Sequence, residues 1–222
     1  MEVSEVMDEL NISKLPSNFY VYEMSDYHLL DCKEEAKELL DIINSSKKES
    51  DVQNYIKSNQ KWFIPLSIMK AYDFGHHFSC VVPEYQLGAE YRLDYLLIGK
   101  NSLGYQFVFV EFEDVNVEYR LKTTNSETDK VRKGLNQIRD WKRWIEQNRG
   151  YFLSADGIKE IANDVPPWGF RYCLVVSRRD RMDKMSNQLR GELQRESGVT
   201  IMSYDRLGVY VALLHNGILY RK

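Results

Sequence analysis

One apolar run that ends in two acids constrains this chain more than any other feature. The run Tyr105–Val110 continues directly into Glu111, Phe112 and Glu113. Side chains alternate across a strand, so Glu111 and Glu113 share one face of it. Both faces are otherwise largely apolar, which predicts a strand covered on both sides within a sheet.

A second apolar run, Tyr91–Ile98, precedes the first and carries an acid at Asp94. The segment between the two runs, Gly99–Gly104, is rich in glycine and asparagine, which predicts a hairpin loop. The midpoint between Asp94 and Glu111 falls inside this loop. In a simple antiparallel hairpin the two acids are therefore near-opposite, with their Cβ atoms about 5 Å apart.

Two carboxylates at that separation repel each other, and burying either one without a partner is costly. A hard divalent cation bound by their oxygens would neutralise them. Ion pairing within the protein is the alternative. Asp94 could pair with Arg92 on the same strand, and Glu111 and Glu113 could pair with basic residues of a predicted helix at 127–148.

The residues around these acids carry a family resemblance. The chain resembles the Shedu-type anti-phage defence nuclease domain, a branch of the PD-(D/E)xK nuclease superfamily, from about residue 49 to about residue 215. The segments that carry the resemblance are Leu87–Leu96, Val110–Glu113, Gln137–Ile145, Leu174–Arg179 and Tyr204–Leu207. The resemblance implies an α/β fold with a restriction-endonuclease-like core, in which helices flank a mixed central sheet.

The resemblance also implies a metal-dependent active site that holds Mg²⁺ or Mn²⁺. The implied metal ligands are Asp94, Glu111, the backbone carbonyl of Phe112, and Glu113, which would hold a second ion or act as general base. Gln137 corresponds to a glutamine that orients the attacking water or a phosphate oxygen, and Glu49 to an acid that opens the first core helix. Glu113 departs from the superfamily pattern, which has lysine at this position.

Charge composition limits how the chain could bind nucleic acid. The net charge is −3 and the sequence pI is about 5.9, so DNA binding needs a local basic patch or metal ions. Arg178 and Arg179 follow a predicted strand at the active-site edge, and with Arg92 they are the predicted phosphate contacts. The basic residues of the 127–148 helix are predicted to form a solvated face above Trp141 and Trp144.

The predicted organisation is a short N-terminal extension, residues 1–48, followed by a nuclease-like domain, residues 49–222. Neither a signal peptide nor an apolar run of roughly 20 residues is present, which predicts a cytoplasmic protein without a membrane partner. The three cysteines are widely spaced and show no metal-ligand spacing, which fits a reducing compartment.

Taken with the resemblance, these residues predict a metal-dependent endonuclease that hydrolyses phosphodiester bonds of DNA in anti-phage defence. The resemblance further implies DNA as partner and assembly into a homo-oligomer. The alternative is a catalytically inactive relative that uses the same cleft to bind nucleic acid or a partner protein, or that serves as an assembly subunit. Glu113 in place of lysine favours the alternative, and the joint presence of Asp94, Glu111 and Gln137 favours the enzyme.

Overall fold

The computed structural model describes residues 14–48, 50–72, 74–162 and 164–214, with Met24 described only in its backbone. The strands are β1 Tyr20–Tyr22, β2 Phe78–Pro83, β3 Gln86–Leu87, β4 Tyr91–Arg92, β5 Tyr95–Asn101, β6 Gly104–Phe112, β7 Phe170–Val175 and β8 Thr200–Met202. The helices are α1 Met24–His28, α2 Cys32–Ser45, α3 Ser50–Ser58, α4 Phe63–Leu66, α5 Asp129–Leu153, α6 Ile158–Ile161, α7 Lys184–Ser197 and α8 Tyr204–Ala212.

Six of these strands form one mixed sheet in the order β1-β2-β5-β6-β7-β8. The first four are antiparallel neighbours, whereas β6, β7 and β8 run parallel. Parallel neighbours need a crossover that covers a face of the sheet, and α5 and α7 lie in the two crossovers. The predicted α/β fold with a mixed central sheet flanked by helices is confirmed.

Each face of the sheet has its own hydrophobic core. Alternate residues of β6 enter different cores: Val108 and Val110 pack with residues of α2, α3, α4 and α8, whereas Phe107 and Phe109 pack with residues of α5, α6 and α7. β6 is thus covered on both sides, as its apolar composition predicts.

The β5–β6 hairpin has the predicted register but a shorter loop. Tyr95 lies opposite Val110 and Asn101 opposite Gly104, so only two residues form the turn, and the loop predicted over Gly99–Gly104 is wrong. The side chain of Asn101 accepts the backbone N–H of Leu103 at 2.9 Å, which closes the turn early. Gly99 lies within β5, where a Cβ would come within 2.5 Å of the Phe74 ring.

The strand predicted across Tyr91–Ile98 is interrupted at Asp94. β4 pairs with β3 in a separate two-stranded ribbon, and β5 begins only at Tyr95. The backbone between them bonds to the preceding loop instead, because the carbonyl of Asp94 accepts the N–H of Glu84 at 2.8 Å. Asp94 therefore lies immediately before the first residue of β5 and not within a continuous strand.

Helix α5 begins later than predicted. It was predicted to start at residue 127, but its N-cap is Thr128, and the Thr128 hydroxyl donates to the carbonyl of Glu118 at 2.8 Å. The helix continues to Leu153 and bends at Asn148, where φ is −123°.

The segment before residue 49 contributes to the same sheet and core. β1 pairs with β2, and α2 buries Leu39 and Ile43 beneath the sheet. Asp31 caps α2 by accepting the N–H of Glu34 at 3.1 Å. The division into residues 1–48 and 49–222 stays a prediction. Among the described helices, none is both long and apolar enough to cross a membrane.

Candidate active site

Asp94 lies against the backbone of the strand that carries the other two acids. Its carboxylate accepts the N–H of Phe112 at 2.7 Å, so this side chain continues the β5–β6 contact beyond the last backbone pair. The side chain of Gln53, on α3, also bonds to Asp94. Asp94 is thereby placed between α3 and the end of β6.

Glu111 follows Val110, the last residue of β6 that pairs with β5. Continuing the register by one residue places Glu111 opposite Asp94, as predicted. Glu111 is 6% exposed. The N–H and C=O of one strand residue point toward the same neighbouring strand. Because the Phe112 N–H meets Asp94, the Phe112 carbonyl points to that side too.

Glu113 is fixed through both its backbone and its side chain. Its N–H donates to the carbonyl of Val175 at 2.9 Å, and its own carbonyl accepts the Tyr204 hydroxyl at 2.7 Å. Its side chain is fully buried, and Oε1 lies 2.9 Å from the Lys133 ammonium on α5. For Glu113, the alternative of an ion pair with a basic residue of the following helix is therefore confirmed.

A glycine allows α5 to approach the acids closely. Gly134 follows Lys133, and a Cβ added there would lie 2.9 Å from Cγ of Glu113 and 2.6 Å from Cδ1 of Leu174. Real Cβ atoms do not occupy such positions unless the neighbours shift. The absence of a side chain at Gly134 thus lets the helix bring Lys133 to Glu113.

The environment of Asp94 opposes its ionisation. Burial raises the pKa of the Asp94 carboxyl from its ordinary value of 3.8 to about 6. The N–H of Phe112, the side chain of Gln53 and the charge of Lys57 act in the opposite direction, while the negative charge of Glu113 adds to the rise in pKa. Asp94 and Glu113 are therefore close enough to repel, which a bound cation would relieve.

The raised pKa of Asp94 predicts a pH-dependent stability difference between the wild-type protein and Asp94→Asn. The folded protein holds this proton up to about pH 6, whereas the unfolded chain releases it near pH 4. The ionisation of Asp94 therefore lowers the stability of the wild-type protein as the pH rises between these values. The Asp94→Asn protein has no such loss, because asparagine does not ionise. In metal-free protein at pH 8, we expect Asp94→Asn to raise the free energy of unfolding by about 1–3 kcal/mol.

Urea denaturation of both proteins at pH 4 and pH 8, in the presence of chelator, measures this difference. The two proteins should differ by only about 0.5 kcal/mol at pH 4, because the folded state holds the Asp94 proton there and the unfolded chain has released about half of it. A wild-type protein that is as stable as Asp94→Asn at pH 8 would contradict the proposed environment.

The chemistry of the donors fits a hard cation. Asp94, Glu111 and the Phe112 carbonyl offer oxygen atoms at one edge of the sheet, and oxygen is the ligand that Mg²⁺ prefers. Within the described residues, no three or more His, Cys, Asp or Glu side chains are grouped so that they could hold a metal ion. Mg²⁺ sites commonly use one or two carboxylates and complete their coordination with water, which matches this smaller set.

A groove of about 610 Å³ lies between β4 and α5, and Asp94, Glu111 and Glu113 are not among the residues that line it. One wall comes from β4 and includes Tyr91 and Arg92, and the other comes from α5 and includes Lys133 and Gln137. Gln137 and Arg92 thus lie on the same groove. Arg92 forms an ion pair with Glu84 at 2.5 Å and does not pair with Asp94 in the described part of the chain.

The two remaining arginines are placed differently. Arg178 is directed toward α2, where it donates to the side chain of Asn44 at 2.5 Å, and its guanidinium lies 3.4 Å from Asp180. Arg179 is exposed, and its backbone N–H donates to the Asp205 carboxylate at 2.8 Å. The structure brings neither arginine to the groove beside α5, and their contact with DNA stays a prediction.

Two groups near the acids were missed at the level of sequence. Gln53 is the α3 side chain that reaches Asp94, and Lys57 follows it by one helical turn. The spacing of Gln53 and Lys57 on one helix face was the only signal for them. Lys133, which reaches Glu113 from α5, is one of the basic residues of the helix predicted at 127–148. Glu49, expected to open the first core helix, lies outside the described residues.

Comparison with known proteins yields one family. A family model described as Shedu protein SduA, C-terminal, matches residues 46–207. Comparison with curated proteins gives no significant match. The matched segment contains β2 to β8 and every acid of the candidate site.

Proposed function

The chain belongs to the family of the Shedu protein SduA C-terminal domain, and from that premise we propose that it is a metal-dependent DNA endonuclease. The family associates the chain with anti-phage defence. The proposal is carried by one observation: the Asp94 carboxylate lies on the backbone of the Glu111–Glu113 segment at the edge of the sheet. Lys133, which contacts Glu113, lines a groove together with Gln137 and Arg92.

Each group has a defined part in the proposed hydrolysis. Asp94, Glu111 and the Phe112 carbonyl would hold Mg²⁺ or Mn²⁺. When bound, such a cation lowers the pKa of water and stabilises negative charge on the phosphate. Gln137 would orient the attacking water or a phosphate oxygen through its amide. The water oxygen bonds to phosphorus and the bond from phosphorus to one ester oxygen breaks. One proton leaves the water and the departing oxygen gains one.

Glu113 has two candidate roles in the proposed hydrolysis. As a ligand of a second cation it would need to exchange Lys133 for the metal, because its Oε1 lies 2.9 Å from that ammonium. As a positioning group it would keep the contact with Lys133. Its full burial and its fixed backbone favour the second role, since a buried carboxylate is stable only with a partner.

Removal of the metal tests the proposed function. We expect the wild-type protein to convert supercoiled plasmid to nicked and linear forms with Mg²⁺ or Mn²⁺. Excess chelator should slow the conversion by at least about 10³-fold, because the cation contributes several kcal/mol to the transition state. Gel assays with a mock purification as control measure this. Cleavage that continues in chelator would contradict a metal-dependent mechanism.

A second candidate function is DNA binding without cleavage. The Glu113–Lys133 pair favours it, because an acid stands where the nuclease pattern has lysine and is neutralised within the protein. The same plasmid assay separates the two candidates when it is paired with a gel-shift measurement. A protein that shifts DNA but leaves it intact with either metal would support the binding module.

A further inference from the structure

Lys133 is the cation in closest contact with the acidic segment among the described ion pairs. Its ammonium group lies 2.9 Å from Glu113, yet 57% of its side chain is exposed. It also lines the groove between β4 and α5. The same side chain thus contacts a fully buried acid and faces the space in which a DNA strand would lie.

The negative charges at this edge require a positively charged group in addition to the metal ion. Asp94, Glu111 and Glu113 are acids, and a phosphodiester adds a further negative charge. One divalent cation offsets only part of that total. In a partly buried site, an ammonium group aimed at the phosphate stabilises the charge that develops as the bond to phosphorus breaks.

The other nearby cations are engaged elsewhere. Lys57 and Arg92 both form ion pairs with Glu84, which lies on the loop before β3. Lys133 instead contacts the segment that carries the proposed metal ligands. Gln137 follows Lys133 by one helical turn on α5, and side chains four residues apart lie on the same helix face.

We propose that Lys133 is a catalytic residue whose ammonium group donates a hydrogen bond to a non-bridging oxygen of the phosphodiester being cut. Glu113 is the positioning residue that holds this ammonium at the edge of the sheet. The inference rests on the proposed nuclease function. Lys133 would supply from α5 the positive charge that the nuclease pattern places at the position of Glu113. Lys133 keeps its proton throughout and only stabilises charge.

Turnover of Lys133→Met tests the proposal. We expect kcat for plasmid cleavage to fall about 100-fold, the usual effect of removing one hydrogen bond donor from a developing oxyanion. Lys133→Arg, which keeps the charge, should stay within about tenfold of the wild-type rate. Lys122→Met removes the same charge from an exposed loop position and should cut as fast as the wild-type protein. Lys133→Met should melt at a lower temperature than the wild-type protein, because it removes this ammonium from the buried Glu113. The values of kcat are therefore compared at a temperature at which thermal denaturation shows every variant to be folded, and Mn²⁺ titration of each variant should match the wild-type protein.

A double-mutant cycle tests how Glu113 acts. If Glu113 works by holding Lys133, Glu113→Gln should lower kcat in the wild-type background and have no further effect in Lys133→Met. An equal effect in both backgrounds would overturn the positioning role. Lys133→Met turnover within about threefold of an active wild-type protein would overturn the catalytic role alone. Wild-type protein that cuts no DNA would overturn the nuclease function itself.

Discussion

Asp94→Asn and Glu111→Gln should each slow DNA cleavage by about 10³-fold or more while the protein stays folded. The reason is the loss of a charged metal ligand: an amide oxygen attracts Mg²⁺ far less than a carboxylate, and the metal contributes several kcal/mol to the transition state. Both substitutions conserve side-chain volume. In Asp94→Asn, the amide oxygen can still accept the N–H of Phe112 that the Asp94 carboxylate accepts at 2.7 Å.

Single-turnover cleavage of plasmid with Mg²⁺, together with Mn²⁺ titration by calorimetry, measures this loss. Asp156→Asn is the matched control, because its side chain is 86% exposed and contacts only Lys159 among the described ion pairs. That variant should cut at the wild-type rate. Cleavage that survives in the Asp94→Asn, Glu111→Gln double variant would refute the assignment of the site.

Asp94→Asn is expected to lower the cleavage activity but to raise the stability of the protein. The same substitution that removes activity should raise stability at pH 8, because the wild-type carboxylate is held in an environment that opposes its charge. A residue that costs stability and supports function is typical of an active site. If Asp94 had a purely structural role, its replacement by asparagine would lower the free energy of unfolding of the protein.

Phe112→Ala should lower the free energy of unfolding by about 3–5 kcal/mol, the usual loss for a fully buried phenylalanine. Phe112 is 1% exposed. Its ring centroid lies 5.2 Å from that of Tyr95 and 5.5 Å from that of Tyr204. Truncation leaves a cavity between β5, β6 and α8, and the rigid sheet collapses into it only in part.

Urea denaturation with tryptophan fluorescence measures the loss. Tyr151→Ala is the control, because Tyr151 is 66% exposed and surface substitutions usually change stability by about 0.5 kcal/mol or less. If Phe112→Ala costs no more than Tyr151→Ala, the packing described for β6 is wrong. A loss of the expected size is a large part of the total stability of an ordinary domain, so activity measurements on Phe112 variants report unfolding as well as chemistry.

Several parts of the fold follow from local patterns in the sequence. The helical spacing of apolar residues predicts α2, and the midpoint between Asp94 and Glu111, which falls in the predicted loop, predicts the β5–β6 register that the structure confirms. The loop bounds and the start of α5 were predicted wrongly. The Asn101 side chain closes the hairpin turn early, and the Thr128 hydroxyl holds the start of α5 to the carbonyl of Glu118.

The partners of the candidate site residues were harder to predict. Arg92 was weighed as the partner of Asp94, yet it pairs with Glu84. Arg178 bonds to Asn44, 134 positions earlier in the chain, a contact that was not predicted, while its contact with phosphate stays a prediction. Such pairs depend on which helix face docks on the sheet, and neither spacing nor composition encodes that docking.

By itself the sequence determined the order of the acids, their common hairpin and the family to which they belong. These features are local, because a strand alternates with a period of two and a short turn transmits the register directly. Only the tertiary structure decided that Asp94 is buried beside Gln53 and that Glu113 is paired with Lys133. The physical reason is that burial and ion pairing are properties of elements packed together. They arise here where α3 and α5 meet the end of β6, and a glycine at position 134 leaves room for that contact.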